Sequence, residues 1–236
     1  MFAYIPARGG SKRIPRKNVR PLGGRPVLLR VIDALSKVHG LSGIGVSSED
    51  PEILGLAESH GAARTLGPRD ISLADDNSTF MDLLRSDAPR FARAFKDDSL
   101  LFVVPTAALV QPAHYEEALR LHQEAPEGLV LAVRTFPCSP YLALSGDPKK
   151  GLIALFPEMY LRPTKELSPA FTDAGCFYAL HLDPSRKIEK FLDLSPVRGV
   201  VLPEGVGIDV DTSGDWDKLE KAHSHLAANM RRPPGD

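Results

Sequence analysis

Phe2-Ala3-Tyr4-Ile5-Pro6-Ala7-Arg8-Gly9-Gly10-Ser11-Lys12-Arg13-Ile14-Pro15-Arg16-Lys17-Asn18 joins a short apolar run to a loop with two glycines and five cations. The apolar run reads as a buried strand and the glycines end it. Residues 26–38 follow with Val27, Leu28, Val31, Leu35 and Val38 at helical spacing, and Pro26 suits a first helical turn. Strand, loop and helix in that order is the opening unit of a parallel α/β sheet, whose ligands bind at the carboxyl ends of the strands. The loop lies at such an end.

The alternation continues outward from this unit. Strands are expected at 43–47, 62–66, 99–104 and 129–133. Helices are expected at 51–60, 79–95 and 111–124, with Ser78 as a cap and Pro89 forcing a kink or an early stop in the second. After about residue 135 the segments become shorter and richer in proline. We read residues 136–170 as a small protruding arm. Residues 174–180 return as a strand, and residues 213–230 form the closing helix, begun by Thr212 or Ser213. The last six residues are expected to be disordered. The fold class is α/β, doubly wound and mainly parallel, in one domain that carries the arm.

Bulk properties set limits on function. A chain of 236 residues with 43 % hydrophobic and 25 % charged content can bury a sizeable core. Its 29 basic and 30 acidic residues leave a net charge of −1, which gives no electrostatic case for nucleic acid or an anionic membrane. No apolar stretch approaches the roughly 20 residues needed to span a bilayer. Cys138 and Cys176 share no motif, so a reducing cytoplasm is the expected compartment. His223 and His225 lack partners at metal-site spacing, and Cys176 reads as core.

Chemistry concentrates at the two ends of the chain. In the loop, Gly9 and Gly10 let backbone N–H groups approach an anion. Arg8, Lys12, Arg13, Arg16 and Lys17 supply charge for a triphosphate that loses pyrophosphate. Neither Gly-x-x-x-x-Gly-Lys-Ser/Thr nor Gly-x-Gly-x-x-Gly occurs here, so a P-loop and a dinucleotide site are both unsupported. Near the other end, Gly207-Ile208-Asp209-Val210-Asp211-Thr212 puts two carboxylates on one side of an extended segment. Taken alone, the pair reads equally as Mg²⁺ ligands or as a turn that caps the next helix.

The stretch from Pro6 to Asn18 resembles the signature of acylneuraminate cytidylyltransferases, the CMP-sugar-acid synthetases, and Asp209-Val210-Asp211-Thr212-x-x-Asp215-Trp216 resembles their acidic motif. The resemblance implies a nucleotide-diphospho-sugar-transferase-like fold. It implies transfer of CMP from CTP to a nonulosonic acid, assigns nucleotide binding to Ala7, Arg8, Gly9, Gly10, Ser11, Lys12 and Lys17, and gives Mg²⁺ to Asp209 and Asp211. The catalytic set is then Arg8, Lys12, Lys17, Asp209 and Asp211, with Asp215 and Trp216 serving the helix start. In Leu73-Ala74-Asp75-Asp76-Asn77-Ser78-Thr79, which resembles a family segment, Asn77 and Ser78 are placed to bond cytosine or ribose, a helix cap being an equal reading of Ser78.

Asp173-Ala174-Gly175-Cys176-Phe177-Tyr178 and Arg162-Pro163-Thr164 are similar to segments of the pseudaminic acid enzymes. They imply that Arg162 holds the sugar carboxylate and Asp173 lies near the sugar, surface ion-pair roles being the other reading. The resemblance also implies a homodimer formed through the arm. Three positions depart from the family pattern. Gly67 replaces an arginine, with Arg69 the nearest one, Ala108 replaces a proline, and Val104 stands where glutamine or tyrosine is common. The competing readings are a transferase for sialate, legionaminate or KDO, one using GTP, and a non-catalytic nucleotide-binding paralogue.

Overall fold

The computed structural model describes residues 1–75, 78–185 and 189–230. Strands β1 (Phe2–Pro6), β2 (Ile44–Ser47), β3 (Ser99–Val103) and β4 (Leu129–Thr135) fall where the apolar runs place them. The helices are α1 (Val27–Leu35), α2 (Pro51–His60), α3 (Phe80–Ser86), α4 (Ala88–Phe95) and α5 (Pro112–Glu124). A separate hairpin, β5 (Leu144–Asp147) with β6 (Gly151–Ala154), lies within the segment expected to form the arm. Then come β7 (Phe171–His181), β8 (Val197–Val201) and the closing helix α6 (Ser213–Met230).

The six-stranded sheet has the order β8-β4-β7-β3-β1-β2. β1 pairs in parallel with β2 and β3, and β8 in parallel with β4. β7 runs antiparallel between β3 and β4 because the chain enters it from the arm rather than through a crossover helix. Since β2 and β3 flank β1 on opposite sides, the strand order reverses at β1. That reversal leaves a crevice at the carboxyl ends of β1 and β3.

Residues of β1 alternate between two cores, as strand geometry requires. Ala3 and Ile5 pack with Leu28, Tyr115 and Trp216 from α1, α5 and α6. Phe2 and Tyr4 pack with Leu84 and Phe91 from α3 and α4. Both faces are covered, which is why this strand is continuously apolar.

Local departures have local causes. Residues 62–66 form one bridge, Arg64 beside Gly45, rather than a strand. The helix expected at 79–95 divides at Asp87, which is 1 % exposed and accepts hydrogen bonds from the hydroxyls of Tyr4 and Ser47. Of the kink and the early stop expected at Pro89 the structure has the stop, at Ser86, and Pro89 lies in the first turn of the second helix. Thr79, not Ser78, caps α3, in a reciprocal box with Asp82. β8 was not expected. The expected disorder of residues 231–236 concerns positions outside the described residues. Among the described residues, no helix is long and apolar enough to cross a membrane.

Candidate active site

The basic loop is tied down from several sides. Ala7 N–H donates to the Ser47 carbonyl at 2.8 Å, extending the β1–β2 ladder by one bond. Asn18, 6 % exposed, donates from Nδ2 to the Arg8 carbonyl at 2.9 Å and so closes the loop on itself. Arg16 takes a left-handed backbone (φ 56°) and pairs with Asp50 and Glu52 at the start of α2. Gly9 N–H donates to Glu49 Oε1 at 2.7 Å, and a Cβ there would collide with the Asp50 carboxylate. Gly10 differs: a Cβ would meet nothing within 4 Å, so the space over it is open. Packing therefore demands the first glycine and leaves the second beside solvent.

The acidic segment reaches the same place from the other end of the chain. Residues 208–211 pair with no strand. Val210, fully buried, turns inward between the two aspartates. Thr212 caps α6 by accepting from Asp215 N–H at 3.3 Å, while Asp215 accepts from Thr212 N–H at 3.0 Å. Asp211 is thereby released from capping. Its Oδ1 lies 3.1 Å from Arg13 Nη2 and 3.9 Å from Lys17 Nζ. Lys17 also donates to the Val210 carbonyl at 2.6 Å.

Electrostatics in this cluster are unbalanced. Burial pushes the pKa of Lys17 down against the pull of Asp211 and Asp209. Protein packed around the Asp209 carboxyl raises its pKa, and Asp211 and Asp173 raise it further. Gathered negative charge that favours a proton also favours a cation. Two carboxylates with hard oxygens fit Mg²⁺, which completes its shell with phosphate and water. Among the described residues no group of three or more His, Cys, Asp or Glu side chains is placed to hold a metal alone.

β7 supplies the third side. On the β4 side, between the pairings Tyr178↔Leu131 and Asp173↔Val133, residues 174–177 stand against Ala132 alone, a bulge that bends the strand. Gly175 sits in this bulge at φ +62°, and a Cβ there would stand 3.1 Å from Asp209 Cγ. Asp173 accepts from Gly175 N–H at 2.8 Å and from the Tyr178 hydroxyl at 2.7 Å.

Two adjoining clefts, about 250 Å³ and 330 Å³, share Arg8, Lys17 and Asn18 and form one trough. The first is walled by Ser78 and Thr106, with Arg69 behind, and the second by Ser11, Lys12, Arg13 and Asp211. The trough lies at the crevice beside β1 and β3. Ser78 donates to the Ser72 carbonyl at 2.6 Å and to Asp75 at 2.9 Å. Asn77 lies outside the described residues. Arg162 stands exposed on the arm and lines neither cleft. Arg69, two positions beyond Gly67, is 5 % exposed and paired with Glu49 at 2.9 Å, so the arginine of this wall comes from a shifted position.

A family model described as cytidylyltransferase matches residues 2–132. The chain is 29 % identical over 231 residues to the CMP-N,N'-diacetyllegionaminic acid synthase of Legionella pneumophila, covering 94 % of this chain and 95 % of that one. It is 27 % identical over 225 residues to the pseudaminic acid cytidylyltransferase of Campylobacter jejuni, covering 92 % and 93 %. In fold it resembles CMP:2-keto-3-deoxy-manno-octonic acid synthetase complexed with CTP, with TM-score 0.68 at 16 % identity over 95 % of this chain and 98 % of that one. It also resembles 4-diphosphocytidyl-2C-methyl-D-erythritol synthase from Anaerococcus prevotii, with TM-score 0.60 at 12 % identity over 96 % of each chain. The match takes in more than half of the sequence, including the whole basic loop, and the chain belongs to the cytidylyltransferase family.

Proposed function

We propose that this chain transfers CMP from CTP to a nonulosonic acid and releases pyrophosphate. The observation that carries the reading is the meeting of the basic loop with the acidic segment, where Asp211 lies 3.1 Å from Arg13 and 3.9 Å from Lys17 along one trough. Relatives named for legionaminic and pseudaminic acids cover almost the whole chain. The residues Asp173-Ala174-Gly175-Cys176-Phe177-Tyr178 favour pseudaminate as the acceptor.

In the reaction, the anomeric hydroxyl oxygen of the sugar acid attacks the α-phosphorus of CTP. The bond from that phosphorus to the bridging oxygen breaks, and its electron pair leaves with pyrophosphate. The hydroxyl proton passes to solvent water. Arg8, Lys12 and Lys17 face the charge that grows on the departing group. The open space over Gly10 and the cleft lined by Ser11 would take the phosphate oxygens. Asp209 and Asp211 would hold Mg²⁺, which neutralises triphosphate charge when bound. Ser78 and Thr106 line the part of the trough that would take the nucleoside.

The arm exposes Ile153 (72 %) and Leu161 (89 %), apolar area that pairing of two chains through the arm would cover. We expect a homodimer in sedimentation at assay concentration.

Pyrophosphate release from CTP tests the reading, measured with and without Mg²⁺ against pseudaminic, legionaminic, sialic and 3-deoxy-manno-octulosonic acids. Release that needs both metal and a nonulosonic acid is expected. Measurable CTP binding with no release from any acid would overturn it.

A further inference from the structure

A second cavity, about 730 Å³, opens where the ends of β4 and β7 meet residues 202–208. Its volume suits a small-molecule ligand. Phe136, Leu202 and Ile208 give it apolar walls, and Thr135 and Thr172 add hydroxyls. Among the described residues that line it, Arg134 is the one cation and Glu204 the one anion.

One chain segment runs from the cavity to the triphosphate trough. Gly207 and Ile208 line the cavity, Asp211 lines the trough, and Asp209 lies on the chain between them. Arg134 is held at this segment, its Nη1 donating to the Gly207 carbonyl at 3.3 Å. The β4–β7 register sets Arg134 opposite Thr172 and Val133 opposite Asp173.

We propose that Arg134 positions the acceptor by taking the sugar acid's carboxylate, with the sugar seated in this cavity. The inference rests on the sugar-acid reading above and deepens it. In a 2-ulosonic acid, the carboxylate is bonded to the same carbon that carries the attacking hydroxyl. Whatever grips the carboxylate therefore aims the nucleophile, and Arg134 is bonded to the carbonyl of Gly207, two positions along the chain from Asp209. The planar fork of a guanidinium matches a carboxylate at two points. The apolar walls suit acyl methyl groups, and the threonines suit ring hydroxyls. Arg162, exposed like Arg134, lines neither this cavity nor the trough.

The test is steady-state kinetics of the wild type, Arg134→Gln, Arg134→Lys and Arg162→Gln with the acid the wild type prefers, each variant first checked for an unchanged melting temperature. Arg134→Gln should raise KM for the acid by about 10- to 100-fold. KM for CTP should stay within about twofold, and Arg134→Lys should recover part of the loss. A residue that merely braced Gly207 would instead shift the CTP and acid constants together, and that result overturns the proposal. So does an unchanged KM for the acid in Arg134→Gln, or a loss that falls on Arg162→Gln alone. A wild type that turns over no acid would sink the functional reading itself. A working wild type with an indifferent Arg134 variant would sink this assignment alone.

Discussion

Asp211 faces two cations while its neighbours do the capping, so its carboxylate is spared structural work. Removing it costs an exposed ion pair with Arg13 and a longer one, 3.9 Å, with Lys17, and such loose pairs add little to stability. It also removes one of the two carboxylates proposed to hold Mg²⁺. Asp211→Ala should therefore lower turnover by about 100-fold or more with its melting temperature within about 2 °C of the wild type. A matched fall in melting temperature and activity would mean that Asp211 holds the loop rather than the metal. Calorimetry beside the pyrophosphate assay separates the two.

Among elements, β7 shows how a strand can be shaped for a site. Its bulge needs Gly175 in the left-handed region, and it brings Asp173 and Asp209 together. Gly175→Ala adds backbone strain of about 1–2 kcal/mol and presses on the Asp209 carboxylate. The variant should melt several degrees lower and lose more activity than that destabilisation explains, as activity measured well below its melting point will show. Full activity there would mean that Asp209 can shift without consequence.

The same element marks where the sequence stops being readable. The loop from Ala7 to Lys17 and the pair Asp209 and Asp211 are legible because their residue types and spacing state their chemistry. The strands β1 to β4 are legible because burial on both faces makes the body of each strand apolar. β8 is not, because Val197-Arg198-Gly199-Val200-Val201 has one well-buried side chain and lies at the sheet edge. Arg134 carries no motif. Only the fold, through its bond to the Gly207 carbonyl, shows that it reaches the segment that carries Asp209. Asp87 hides in the same way: nothing local predicts that an aspartate inside a helical pattern will end the helix to reach Tyr4 and Ser47.

At the scale of the whole molecule, stability should depend on acidity through buried histidine. His122 is 3 % exposed, its Nδ1 has no hydrogen-bond partner, and its Nε2 lies 3.4 Å from Ser99 Oγ. Burial, aided by nearby His181, lowers its pKa from 6.5 to about 4. Below pH 6.5 the unfolded chain therefore takes up a proton that the folded chain refuses until about pH 4. The unfolded state binds more protons in that window, so stability falls as pH drops through it. Above about pH 7 both states hold His122 neutral, and its contribution is flat. His114 and His223 are lowered in the same direction by burial, so they add to the slope. Urea midpoints measured from pH 7.5 down to 4.5 should decline for the wild type. The decline should be shallower in His122→Gln, in which a neutral amide replaces the ring. An equal slope in both proteins would show that the fold protonates His122 at its ordinary pKa.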